Sequence, residues 1–229
     1  MLIDKPAGIT SAKAVAHVKR ALRARRVGHA GTLDPLATGL LIIGVNAGTK
    51  KLAQYLKLPK TYEAQILFGK RTDTGDLEGK VLEEVEGGGL QVAEGEVKAA
   101  LAGMVGTLEL SVSPYSALKR SGEPLYKKAR RGEVVEPVVR AMEVRAAEVL
   151  GITSMPASTN MQHSNILQNV RMSYPVVSVR FDVGSGTYIR SLAEELGHRL
   201  GVPATLAYLR RTRVGECNVV DAQPLTDFE

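Results

Sequence analysis

The chain has 229 residues, 44% hydrophobic and 24% charged, with 30 Lys and Arg against 24 Asp and Glu, a formal net charge of +6 and one cysteine. A chain of this length buries roughly 70% of its unfolded surface without covalent staples, and its ordinary globular composition excludes wholesale disorder. The single Cys217 excludes a disulfide framework and a thiolate metal cluster, and no window approaches the ~18 apolar residues of a spanning helix. Met1-Leu2-Ile3-Asp4-Lys5-Pro6 lacks the pattern of a signal peptide, so a cytoplasmic protein is expected. Thr10 and Ser11 are N-cap residues, and Ala14, Val15, Val18, Ala21 and Leu22 follow at helical spacing, with Lys19, Arg20 and Arg23 on the polar face. Leu40 to Val45 is a short apolar run that predicts a buried strand. Thr61 to Phe68 alternates, with Tyr62, Ala64, Ile66 and Phe68 on one face of a half-buried strand. Asp73-Thr74-Gly75-Asp76 is turn chemistry, Gly87-Gly88-Gly89 a loop, and Ala93 to Met104 a helix.

Val144 to Val149 and Val176 to Val183 read as strands. Thr153 to Ser173 between them, rich in Ser, Asn, Gln and Met, predicts a long mobile hairpin loop. After Gly184-Ser185-Gly186 a helix carries Ile189, Leu192, Ala193, Leu196 and Leu200 on one side. Strands outnumber the crossover helices that a doubly wound sheet requires, so the expected fold class is α+β with a mixed sheet in one domain, residues 1–229.

Charge is segregated. No acid falls between Asp4 and Asp34, where seven Lys and Arg lie. A second basic run spans Lys119 to Arg131, and a third is Arg210-Arg211-Thr212-Arg213, while acids gather between Asp73 and Glu96. Each run alone is an ordinary solvated face, but together they give a positive side suited to a nucleic acid. Familiar catalytic motifs fail. Gly184-Ser185-Gly186 lacks the third glycine of a dinucleotide fingerprint, and no phosphate loop is present. His17, His29, His163 and His198 show no metal-ligand spacing, and no serine elbow or Cys–His pair exists. The chemistry is left to carboxylates, tyrosines and arginines.

The densest constellation runs from Arg26 to Gly39. Pro35 pushes Asp34 out of helical geometry, presenting its carboxylate on a tight turn beside a basic run, as a nucleophile or base toward a nucleotide. The alternative is that Asp34 merely caps the turn Pro35-Leu36-Ala37-Thr38.

Lys5-Pro6-x-Gly8-x-Thr10-Ser11 and Gly28-His29-x-Gly31-Thr32-Leu33-Asp34-Pro35-x-Ala37-Thr38-Gly39 resemble the two N-terminal motifs of the TruB-type tRNA pseudouridine synthases. The likeness continues through Lys60-Thr61-Tyr62, Gly69-x-x-Thr72-Asp73-Thr74-x-Asp76, Tyr115-Ser116-Ala117-Leu118-Lys119, Leu125-Tyr126-x-x-Ala129-Arg130-x-Gly132, Gly186-Thr187-Tyr188-Ile189-Arg190 and Leu209-Arg210-Arg211-Thr212, in the family's order. The resemblance implies a pseudouridine-synthase-like catalytic domain with a mixed, mainly antiparallel sheet flanked by helices and RNA-gripping loops. It implies conversion of uridine to pseudouridine at position 55 in the T loop of tRNA, with base flipping and no cofactor or metal. The family's catalytic aspartate falls on Asp34, its base-packing tyrosine on Tyr62, a candidate to remove the C5 proton, and its aspartate-pairing arginine on Arg190. Tyr188 and Leu209 would line the uracil pocket, and His29 would fill the gap that the flipped base leaves. An insertion at about 106–137 would grip the T arm, with Arg130 and Arg131 on phosphates.

Taken singly, Tyr62 and Leu209 also read as core residues, His29 as a turn residue, Arg190 as an ion pair with Glu194, and Lys5 as packing. The residues after Ala222 are too few for the PUA domain that family members commonly carry, and a basic residue often stands where Ser185 does. The partner implied is tRNA, with no membrane, no obligate protein partner and a monomeric state. Two other readings remain open: a tRNA-binding folding chaperone with secondary catalysis, and a guide-dependent rRNA pseudouridine synthase.

Overall fold

A computed structural model of the chain describes residues 1–85, 90–120, 122–156 and 173–228. In chain order the elements are β1 (Leu2–Lys5), α1 (Ser11–Ala21), β2 (Val27–Ala30), β3 (Thr38–Val45), α2 (Leu52–Leu56), β4 (Lys60–Phe68), β5 (Lys70–Thr72), β6 (Val81–Glu84), α3 (Glu94–Ala102) and β7 (Gly106–Val112). There follow β8 (Lys119–Arg120), β9 (Glu123–Pro124), α4 (Leu125–Arg130), β10 (Val138–Pro156), β11 (Ser173–Val183), α5 (Ile189–Arg199), β12 (Ala204–Val214), β13 (Cys217–Asn218) and β14 (Gln223–Pro224). One sheet of ten strands carries the order β14-β1-β3-β12-β4-β11-β10-β7, with β2 beside β3 and β13 beside β12. β1 with β14 and β3 with β12 are parallel, and the other pairs of this sheet are antiparallel. The architecture is the expected mixed, mainly antiparallel α+β sheet.

Period-two alternation explains the two faces of this sheet. Tyr62, Ala64, Ile66 and Phe68 of β4 and Val177, Val179, Phe181 and Val183 of β11 point into the main core, with Tyr62 opposite Phe181 and Ala64 opposite Val179. α1, α3 and α5 supply residues to that same core. In α1, Thr10 caps the helix by accepting the Lys13 N–H at 3.1 Å, and Ala14 and Val18, one turn apart, are buried. α5 buries Ile189, Leu192, Ala193 and Leu196, a continuous stripe at helical spacing. On the opposite face, Leu40, Ile42 and Val214 form a smaller cluster with Leu52 of α2, while Glu63, Arg180 and Asp182 lie half-buried or exposed.

Three expectations are corrected or redrawn. The strand before the polar stretch does not end near Val149: β10 continues to Pro156, which pairs with Ser173. Most of the loop expected over 153–173, namely 157–172, lies outside the described residues, as does the loop at Gly87-Gly88-Gly89. The third basic run is not an open cationic face. Arg210 pairs with Asp4 at 2.7 Å and Arg211 is buried in the interior. Of residues 106–137, Gly106–Val112 is β7 of the main sheet, paired with β10, and 113–137 hold β8, β9 and α4.

Candidate active site

The two N-terminal motifs meet in space. The Ser11 hydroxyl, at the start of α1, accepts the Leu33 N–H at 2.8 Å and donates to the Leu33 carbonyl at 3.0 Å. The Gly8 N–H donates to the Pro35 carbonyl at 2.9 Å, and the Asp34 carbonyl closes a turn by accepting the Ala37 N–H at 3.1 Å. Lys5 is fully buried, and its ammonium donates to the carbonyls of Pro6 and Ile9 at 2.8 Å and of Pro35 at 3.5 Å. Burial pushes the Lys5 pKa down to about 8, against the opposing pull of Asp34 and Glu78. The first motif is a brace for the loop that presents Asp34. Ser11→Ala leaves both polar groups of buried Leu33 without that partner, so a loss of about 1–3 kcal/mol in urea unfolding is expected.

From the other side the loop is held by Arg211. Its Nε donates to the Leu40 carbonyl at 2.8 Å and its Nη2 to the Gly31 carbonyl at 3.0 Å, tying the two ends of the segment around Asp34. The parallel pairing of β3 with β12 places Gly39 opposite Arg211. Gly39 has φ +99°, and a Cβ there would run into the backbone carbonyl of Arg211 and lie 2.9 Å from its nitrogen. Only glycine permits this approach.

Arg190, the second residue of α5, points back into the site with 5% exposure. Its Nη2 lies 3.0 Å from Asp34 Oδ2, and its Nη1 donates to the Thr74 carbonyl at 2.7 Å and stands 3.8 Å from Asp76 Oδ2. Nη2 also reaches the Tyr115 carbonyl at 3.5 Å. Asp76 is itself buried, its Oδ1 accepting from the Thr74 hydroxyl at 2.6 Å and from the Glu78 N–H at 3.1 Å. One guanidinium therefore joins two carboxylates with different exposures. The Asp76 side chain is 7% exposed and closed off, whereas that of Asp34 is 38% exposed and faces a cavity. The expected pairing of Arg190 with Asp34 is present, and the alternative ion pair with Glu194 is not formed among the described residues.

The cavity measures about 690 Å³, within the range of ligand pockets. Tyr62 on β4, Leu209 on the adjacent β12, and Tyr188 and Arg190 at the start of α5 line it together with Asp34. Ala117, Leu118 and Lys119 form another part of the wall, so the segment after β7 contributes to it. Burial pushes the Tyr188 phenol up from its ordinary pKa. Lys60 donates to the carbonyls of Leu56 at 3.1 Å and Leu58 at 2.6 Å, and burial, reinforced by Arg211, pushes its pKa down to about 8.

Three expected substrate residues lie off the cavity lining. His29 sits on β2 with its Nδ1 buried and unpartnered among the described residues, and burial, with Arg211 adding to it, holds its pKa below the ordinary value. Arg130 ends α4 over the Tyr126 ring, 5.6 Å from its centroid. The Arg131 guanidinium is occupied by Glu123, at 2.7 and 3.0 Å, and by Glu133 at 2.7 Å. Sequence reasoning had left out Asp76, Arg211 and Lys60 as site residues and treated Lys5 as packing alone. Asp76 stands in the turn Asp73-Thr74-Gly75-Asp76, where turn chemistry alone accounts for an aspartate.

The sequence model of the TruB family pseudouridylate synthase (N terminal domain) matches residues 19–189. The tRNA pseudouridine synthase B of Xanthomonas oryzae pv. oryzae (strain MAFF 311018) is 44% identical over 211 residues, which cover 92% of this chain and 61% of that protein. That of Leifsonia xyli subsp. xyli (strain CTCB07) is 41% identical over 230 residues, covering 100% of this chain and 71% of the relative. Among solved structures, a chain of the archaeal box H/ACA sRNP Nop10-Cbf5 complex superposes with a TM-score of 0.65 at 26% identity, over 99% of this chain and 51% of the other. A chain of an H/ACA RNP bound to a substrate RNA containing 2'-deoxyuridine gives 0.66 at 25% identity, covering 98% and 50%. The chain thus spans 61% of the length of its Xanthomonas oryzae relative and about half the length of these structural neighbours.

Proposed function

Because the chain belongs to the TruB family of pseudouridylate synthases, we propose that it isomerises uridine to pseudouridine in tRNA, at position 55 of the T loop. The observation that carries this reading is the Asp34 carboxylate, braced from below by the Ser11 and Lys5 contacts and oriented by Arg190 at the edge of a cavity large enough for a nucleotide. In the reaction the C1′–N1 bond breaks, the uracil turns, C1′ joins C5, and the C5 hydrogen leaves as a proton while N1 gains one. Asp34 supplies the carboxylate for bond cleavage, and Arg190 fixes its direction. Tyr62 packs on the base, with Tyr188 and Leu209 enclosing it. A stacked base cannot reach Asp34, so the uridine enters flipped, and His29 on β2 fills the place it leaves.

Residues 1–229 serve in this reading as one catalytic domain acting in the cytoplasm as a monomer, with the 113–137 segment gripping the T arm. Arg130 and Arg131 meet its phosphates once RNA competes for the Arg131 guanidinium. Sequence identity favours tRNA over a guide-directed RNA substrate, since relatives named for tRNA are 38–44% identical while the H/ACA chains are 25–26% identical. A pure tRNA-folding chaperone has no use for a carboxylate turned toward a polyanion.

The test is release of tritium from tRNA labelled at C5 of uridine. Asp34→Asn keeps the side chain's size, so RNA binding is expected to persist while release falls by more than about a thousand-fold. Release that survives the substitution would reduce Asp34 to a turn cap, and binding without release by the parent chain would favour the chaperone.

A further inference from the structure

The cavity holds more positive charge than the reaction itself uses, and most of it is engaged. Arg190 is joined to Asp34 and Asp76, Arg211 to the carbonyls of Gly31 and Leu40, and Lys60 to those of Leu56 and Leu58. Two further cations, Arg140 and Lys119, line the same cavity and are exposed. Among the described residues neither is held by a carboxylate, whereas Arg120 is paired with Glu136 and Arg131 with Glu123 and Glu133.

The placement of Arg140 follows from strand alternation. Val138, Arg140, Met142 and Val144 share one face of β10, and Met142 and Val144 are buried there. The Met142 sulfur accepts the Tyr188 N–H at 3.5 Å, which fixes this face against the N-terminus of α5. Two residues back, roughly 7 Å along the strand, Arg140 opposes Leu110 of β7 and reaches the cavity from its solvent side. Its charge is near enough to the Tyr188 phenol to oppose the upward push of burial.

A nucleotide whose base lies between Tyr62 and Tyr188, with C1′ at Asp34, must leave its phosphates at the rim. There the Asp34 carboxylate repels them unless a cation intervenes. We propose that Arg140, with Lys119 beside the same opening, binds a phosphate that flanks the reacting nucleotide and so holds the flipped-out state. This rests on the uridine-isomerising reading of the site. An exposed arginine fork without a carboxylate partner among the described residues suits a phosphodiester, which accepts two parallel hydrogen bonds.

The test is a chemical double-mutant cycle under single-turnover conditions. T-arm RNA tritiated at C5 is prepared with ordinary phosphates, or with a neutral methylphosphonate placed 5′ or 3′ of the reacting uridine. Arg140→Ala should slow conversion of ordinary RNA by about ten- to a hundred-fold, the size expected for loss of one charged hydrogen-bonding contact. One of the two methylphosphonates should slow the parent chain by a similar factor and slow Arg140→Ala no further. Arg140→Lys should recover part of the rate on ordinary RNA and none on that methylphosphonate. Penalties that multiply on both modified RNAs would overturn the proposal. A parent chain that converts no ordinary RNA would instead overturn the underlying reading.

Discussion

Replacing Arg190 with alanine is expected to lower tritium release by more than about a thousand-fold and to cost about 3–5 kcal/mol in folding stability. The two losses have different origins. Asp34 loses the group that aims its carboxylate, which touches the rate. Asp76 is left buried without its nearest cation, and the Thr74 carbonyl without its donor, which touches the fold. Removing one member of a buried ion network strands the others in a low-dielectric interior. Arg190→Lys separates the effects, because an ammonium keeps the charge but cannot span Thr74, Asp76 and Asp34 together. Urea unfolding should show most of the stability restored, and the rate should remain at least about a hundred-fold down. A near-parental rate for Arg190→Ala would contradict the arrangement.

Gly39→Ala is the second large effect, and it acts through backbone alone. The new methyl group meets the Arg211 main chain across a parallel strand pair, where neither side is a flexible side chain that can turn away. Strain at φ +99° adds to the overlap, and together they should cost roughly 3–5 kcal/mol. Any relief requires β12 to move from β3, carrying Leu209 and Arg211 away from the cavity, so activity should fall with stability. Gly8→Ala is the control. Gly8 also has a positive φ of +79°, but nothing lies within 4 Å of its added Cβ. It should cost only the conformational part, about 1–3 kcal/mol. Equal losses for the two variants in thermal unfolding would show that the close approach at Gly39 carries no special weight.

What could be read from the sequence was what local chemistry determines. Thr10 announces α1, the alternation from Tyr62 to Phe68 announces β4, and the stripe from Ile189 to Leu196 announces α5, because each pattern repeats within a few residues. The fate of Arg211 could not be read that way. In Arg210-Arg211-Thr212-Arg213 the strand sends Arg211 inward and Arg210 to Asp4, and only the distant carbonyls of Gly31 and Leu40 make the inward position tolerable. Asp76 was hidden for the opposite reason, since its local hydrogen bonds satisfied a turn and concealed its contact with Arg190. The continuation of β10 to Pro156 was missed because Ile152 to Pro156 lacks strong strand patterning, and its partner β11 supplies the order. Asp34, Tyr62, Tyr188, Arg190 and Leu209 gather in one cavity, but no single one of these residues announces it; the family motif order pointed to all five.

The parallel pairing of β3 with β12 also governs when the site can come into being. Thr38 and Arg210 are separated by 172 positions, and Arg190 follows Asp34 only after α5 has begun. During synthesis, α1 and the Asp34 turn can form early from neighbours within about thirty residues, yet a nascent chain ending before β12 has neither the inner clamp of Arg211 nor the Leu209 wall. Closing so long a loop is entropically costly and slow. Nearly the whole of this sequence must therefore leave the ribosome before the cavity lined by Asp34, Arg190 and Leu209 can close, because β12 must first take its place between β3 and β4.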